Sequence, residues 1–259
     1  MSPRDLHQSV RPSPIFWAIV GLTVLGGALA YWVGDDVGPL AYLSVFVFVI
    51  AGWVVSLCLH EFGHAFTAWR CGDRDIALRG YLDLDPRRYV SPLWSIVVPI
   101  AITVIGGIGL PGAAVYVRMS NMSARQRTLV SLAGPAANLL LAVLLLEVTN
   151  LFFDPLHPVL WAGVAFLGFL QITALLLNLL PIPGLDGYNA LEPHLSPETQ
   201  RALAQFKPYG FLLLFLLLLA PPLNQWFFEL VDYLFELSGV PRLLWQAGAG
   251  LTQFWRHWL

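Results

Sequence analysis

The sequence predicts an all-α polytopic membrane protein of about five transmembrane helices, with a re-entrant segment and a short membrane-edge β-hairpin. Three observations predict it. Hydrophobic residues make up 57% of the 259-residue chain and charged residues only 12%, too little polar surface for a water-facing exterior. Several apolar runs reach the ~20 residues that cross a hydrocarbon core of about 30 Å as a helix. Between them lies an uncharged segment, 89–117, in which Pro92, Pro99, Gly106, Gly107, Gly109, Pro111 and Gly112 disfavour a straight span.

The elements follow in order. Arg4 and Arg11 precede an apolar stretch from Pro14 to Val33, which is long for a signal-peptide core and lacks a small-residue cleavage site, so it reads as the first span. The second span runs from about Pro39 to Trp69 and the third from Thr128 to Phe153. A fourth runs from Pro158 to Leu180, and a fifth from Tyr209 toward Leu230, where Pro221-Pro222 should kink or break it. Beyond Gly239, Trp245, Phe254, Trp255 and Trp258 suggest an interfacial tail. With no repeat or linker, 1–259 is read as one membrane domain, with its core in 37–190 and the C-terminal span and tail in 208–259. Ile76 to Asp85 alternates apolar and polar residues for part of its length, a pattern open to a strand or hairpin and equally to an amphipathic loop.

Charge decides how 89–117 should run. If it dips in and returns, the N-terminal arm and the regions 70–88, 118–127 and 181–207 share one face, which then holds twelve of the fourteen Lys and Arg. The short opposite loops hold only Asp35, Asp36 and Asp154. The positive-inside rule makes the basic face, and with it the N-terminus, cytoplasmic. A net charge of −2 without a basic patch gives no support for a nucleic-acid partner. Cys58 and Cys71 show no CxxC spacing and read as small buried hydrophobes.

The chemistry is concentrated in His60-Glu61-Phe62-Gly63-His64, near the end of the second span. Ionisable groups at that depth are costly unless they are coordinated or line a wet cavity. Histidines four apart lie on one helical face and can share a metal ion, with Glu61 beside them to activate a water. A catalytic zinc usually takes three protein ligands, so a third must come from elsewhere. Glu147 and Asp154 lie toward the opposite face, whereas Asp186 follows directly on the fourth span, where Pro181, Pro183, Gly184 and Gly187 break the helix. Two crossings separate His64 from Asp186 if 89–117 is re-entrant, which returns both to the cytoplasmic side. Asn138 and Asn178 are amides at membrane depth, open to substrate or oxyanion contacts and equally to interhelical hydrogen bonds.

These residues resemble the site-2 proteases, the intramembrane zinc metalloproteases. The resemblance rests on His60-Glu61-Phe-Gly-His64, on Ala133-Gly134-Pro135-Ala-Ala-Asn138, and most specifically on Asn178-Leu-Leu-Pro181-Ile-Pro183-Gly-Leu185-Asp186-Gly187. It implies one zinc ion held by His60, His64 and Asp186, Glu61 as the base, and a membrane hairpin over 76–85 that receives the substrate as an added strand. It also implies peptide-bond hydrolysis in membrane-anchored proteins, possible substrates including an anti-sigma-type regulator, in a compact bacterial-type member without a PDZ domain. Two rival functions share some of these residues, a divalent metal transporter and a catalytically inactive membrane chaperone or scaffold. Against the first, His7, His157, His194 and His257 are scattered and form no ion path. Against the second stands the intact Glu61.

Overall fold

Proline opens several of the helices, because its missing N–H is one of the first-turn groups that would lack a partner anyway. The computed structural model describes residues 10–89 and 122–253. Helix α1 (Pro14–Val33) begins with Pro14 and is capped by Ser13, whose hydroxyl accepts from the Phe16 amide. Helix α2 (Pro39–Arg70) carries the histidine motif in its last three turns. Two single-turn helices follow, α3 (Asp75–Leu78) and α4 (Pro86–Tyr89). Helix α5 (Ala124–Phe152) starts in a reciprocal capping box between Ser123 and Gln126, and α6 (Pro158–Leu179) starts at a proline.

After α6 the chain forms a short helix, α7 (Asp186–Leu191), then α8 (Pro197–Ala204). Helices α9 (Gly210–Leu219) and α10 (Leu223–Glu236) meet at Pro221-Pro222, and α11 (Arg242–Thr252) ends the described chain. Among the described residues, α1, α2, α5 and α6 are long and apolar enough to cross a membrane. The α9–α10 pair makes a fifth span if it is one broken crossing, and the two segments are bent by 86° at the prolines. Helices α1, α2, α5 and α6 therefore follow the first four predicted spans to within a few residues, while the fifth is broken at the prolines as expected and runs on to Glu236.

Helix α6 sits at the centre: every residue from Trp161 to Ala174 is buried, as expected of a helix apolar on all sides. Small residues let its neighbours approach closely. A Cβ on Gly248 of α11 would strike the Ala162 carbonyl, and one on Gly26 of α1 would stand 2.6 Å from the Phe48 amide nitrogen of α2. Trp245 of α11 stacks on Phe169 of α6 with ring centroids 4.0 Å apart. The segment after Gly239 thus begins as a helix docked on the core, where the sequence suggested an interfacial tail; Phe254, Trp255 and Trp258 lie outside the described residues.

The expected hairpin over 76–85 is not formed, and no strand occurs among the described residues. The segment instead makes the helical turn α3 and a run of tight turns, in which Arg79 N–H donates to Asp75, Gly80 to Ala77 and Tyr81 to Ile76. Burial explains it. Ile76 and Leu82 are fully buried against Ala65, Ala68 and Trp69 of α2, and Gly80 supplies the positive φ of +71° that closes the turn. Local backbone bonds already occupy the groups that a strand would pair. The proposed re-entrant path of 89–117 lies, apart from Tyr89, outside the described residues.

Candidate metal centre

On α2, one helical turn brings His60 and His64 together with their Nε2 atoms 3.1 Å apart. Asp186 arrives from the far end of α6. There Leu180 and Leu185 adopt extended backbone, Leu185 N–H closes a turn onto the Ile182 carbonyl, and Gly184 holds φ +103°. A Cβ on Gly187 would overlap the Leu179 carbonyl, so glycine there lets α7 fold back against the end of α6. Asp186 consequently opens α7 with its Oδ2 3.2 Å from Nε2 of His60 and 3.2 Å from Nε2 of His64.

Both imidazoles are oriented from behind by α5. His64 Nδ1–H donates to the Val130 carbonyl at 2.7 Å, and a carbonyl can only accept. Neutral His64 therefore carries its lone pair on Nε2. His60 Nδ1–H donates to Asn138 Oδ1, which places its lone pair on Nε2 as well. Two lone pairs and a carboxylate oxygen thus converge on one point, and Asp186 Oδ2 has no hydrogen-bond partner among the described residues. Such an arrangement repels itself unless a cation sits among the three atoms.

The triangle also has the right size. Tetrahedral zinc with bonds of about 2.0 Å separates its ligands by about 3.3 Å, close to the edges of 3.1, 3.2 and 3.2 Å found here. His60, Glu61 and His64 are all buried, at 6%, 3% and 8% exposure. Space for an ion is kept by Gly134, where a Cβ would overlap Nε2 of both histidines. Pro135 follows in the same turn, and its missing N–H removes the helix bond to the Ser131 carbonyl.

Every sequence-predicted ligand is therefore in one place, with Glu61 one residue from His60. The two asparagines separate. Asn138 uses both ends of its amide, the oxygen on His60 and the nitrogen donating to Gln171 Oε1 at 2.8 Å. Asn178 is half-buried at the end of α6, and its side chain makes no hydrogen bond among the described residues. Gln171 was missed by reasoning from ionisable groups; its signal was an amide in an otherwise apolar span. Of the other described histidines, His157 stacks on Tyr31 and His194 bonds Thr128, and neither joins the cluster.

The profile of peptidase family M50 matches residues 48–157, which include His60, Glu61, His64, Gly134 and Asn138. The chain is 64% identical over its full length to Rip2 of Mycobacterium tuberculosis and 61% identical to Rip2 of Mycolicibacterium smegmatis, relatives that bear a zinc metalloprotease name and are covered over 100% of their length. It is 29% identical over 195 residues to YwhC of Bacillus subtilis, likewise named for a zinc metalloprotease, covering 71% of this chain and 85% of that protein. No solved structure matches.

Proposed function

The chain belongs to peptidase family M50, the site-2 proteases, and from that premise we propose how its residues divide the work of an intramembrane zinc metalloprotease. It is a multi-pass membrane protein that hydrolyses peptide bonds of membrane-protein substrates. The observation that best supports the ligand assignment is the convergence of His60 Nε2, His64 Nε2 and Asp186 Oδ2, each with its electrons turned to the same point.

Zinc bound by these three groups supplies a Lewis acid that brings the pKa of water toward ~7 and polarises a carbonyl. Glu61 takes the proton of the attacking water and passes it to the leaving amine, the role open to a buried carboxylate one residue from His60. The Val130 carbonyl and Asn138 fix the two imidazoles, so neither ring has to reorient during the reaction. Asn178 has an uncommitted amide near the start of the loop that carries Asp186, and we assign to it a hydrogen bond to the substrate strand or the developing oxyanion. Asn138, committed at both ends, acts as a positioning residue.

The centre is placed at the cytoplasmic side, with the N-terminus on the same face, on the strength of the charge asymmetry. The whole of 1–259 is treated as one membrane domain, and a membrane-anchored regulator of anti-sigma type is the substrate class proposed for it from its family. The test is reconstitution with a single-span reporter. Stripping the metal with a chelator should abolish cleavage, and one equivalent of zinc should restore it; cleavage that survives full metal removal would overturn the assignment.

A further inference from the structure

The chain that carries Asp186 to the metal centre, residues 180–185, belongs to no helix, so its position depends on what it touches. Its tight turn has Pro183 second and Gly184 third with φ +103°, the residue order of a type II turn, and is closed by Leu185 N–H on the Ile182 carbonyl. That bond leaves the Pro183 carbonyl to meet a neighbour, and the neighbour is Gly210, the buried first residue of α9. A Cβ on Gly210 would overlap the Pro183 oxygen and stand 3.6 Å from Gly184 Cα. One on Gly184 would stand 3.2 Å from the Lys207 carbonyl oxygen, so the two segments meet backbone to backbone.

The same segment also grips the far flank of Asp186. Lys207 Nζ lies 2.7 and 2.9 Å from the two carboxylate oxygens of Glu192 and 5.6 Å from the ring centroid of buried Tyr188. Residues 207–210 therefore touch the chain three residues before Asp186 and again two and six residues after it. We infer that Gly210 is a positioning residue for the metal centre: by admitting α9 against the Pro183-Gly184 turn, it lets the start of the C-terminal span bracket Asp186 and hold its carboxylate opposite the two histidines.

Magnitudes favour a role in positioning. Metal–ligand distances hold to within about 0.2 Å, whereas relieving an overlap of carbon on oxygen takes a displacement on the order of 1 Å. A fifth of that displacement, passed along three residues to Asp186, uses up the tolerance. Little of it can be absorbed on the way. Beyond Asp186 the chain is wedged at Gly187, where a Cβ would overlap the Leu179 carbonyl, and α9 cannot retreat without drawing Lys207 off Glu192.

The role given to Gly210 rests on the zinc reading above, so zinc affinity is measured by chelator competition on the purified full chain in wild type, Gly210→Ala and Gly248→Ala. Gly248→Ala is the matched control, since its methyl would overlap the Ala162 carbonyl near the end of α6 remote from Asp186. Both variants should melt at lower temperature than wild type. Only Gly210→Ala should weaken zinc, by about tenfold, and only it should shift the visible absorption bands of the cobalt-substituted protein, which report ligand geometry. Unchanged zinc affinity in Gly210→Ala, equal losses in both variants, or a loss with unaltered cobalt bands would each overturn the inference. Where either glycine variant fails to fold, Lys207→Met decides: it should weaken zinc severalfold and Lys207→Arg should restore it, whereas wild-type affinity in Lys207→Met, or a loss that Lys207→Arg leaves unrestored, would overturn the bracket. A wild type that binds no zinc would instead sink the metal reading itself.

Discussion

His64 on α2 donates its Nδ1–H to the carbonyl oxygen of Val130 on α5 across 2.7 Å, so the separation of these two helices is set by a metal ligand and a backbone atom. That bond is possible because a glycine on each helix lets the two approach closely. A Cβ on Gly63 would stand 2.7 Å from the Ala133 carbonyl, and one on Gly134 would overlap both Nε2 atoms.

Gly134→Ala tests this closeness. In an ordinary helix interior the change would stabilise by up to about 1 kcal/mol. Here the methyl enters the ligand triangle, and overpacking of about 1–3 kcal/mol outweighs propensity. Zinc affinity should fall about 10–100-fold, read by chelator competition. Unchanged affinity would show that the helices can part without disturbing the ligands.

Asp186→Ala removes one corner of the triangle while leaving α2 and α5 untouched. The purified variant should contain far less than one zinc per chain by elemental analysis, and should not cleave a single-span reporter. Full zinc occupancy would take Asp186 out of the ligand set.

The loop that carries Asp186 is tied down at Glu192, whose carboxylate lies 2.7 Å from Lys207 Nζ and 3.8 Å from Arg127 on α5. Lys207 is 40% exposed, so the pairing is worth less than a fully buried one, about 1–2 kcal/mol in all. Glu192→Gln should therefore lower the melting temperature by a few degrees. It should also weaken zinc severalfold and leave a stoichiometry of one at saturation. A loss of stability with unaltered zinc affinity would show that this clamp holds the loop without positioning Asp186.

The Arg87 guanidinium and backbone amide hold the buried Asp85 carboxylate below its ordinary range. A depressed folded-state value means that the stabilisation is fully present above the unfolded carboxylate pKa of about 4. It is lost as pH falls through the lower folded value. Melting curves of the detergent-solubilised protein between about pH 3 and 6 should show an acid limb that Asp85→Asn flattens. An identical acid limb in the variant would assign it to other carboxylates.

Much of this was legible in the sequence, for identifiable reasons. Long apolar runs leave little freedom, so Pro14–Val33 and Pro39–Arg70 begin and end within a residue or so of their predicted limits. The pairing of His60 and His64 with Asp186 followed from helical spacing and from counting crossings. What stayed hidden depends on contacts between elements distant in sequence. Alternation over Ile76–Asp85 imitates a strand, but burial of Ile76 and Leu82 against α2 folds it into turns. Tryptophan's preference for headgroups suggests an interfacial tail beyond Gly239, yet Trp245 finds Phe169 in the core. The bond between Asn138 and Gln171 joins residues 33 apart, and only packing of α5 on α6 reveals it.

Metal binding and proton transfer fall to different residues, and Glu61→Gln separates them in a single preparation. Zinc content by elemental analysis and cleavage of a reconstituted single-span reporter are measured together on wild type and variant. The prediction is one zinc per chain in both proteins, with cleavage only in the wild type. Cleavage by zinc-loaded Glu61→Gln at a rate near that of the wild type would contradict the assignment of Glu61 as the base.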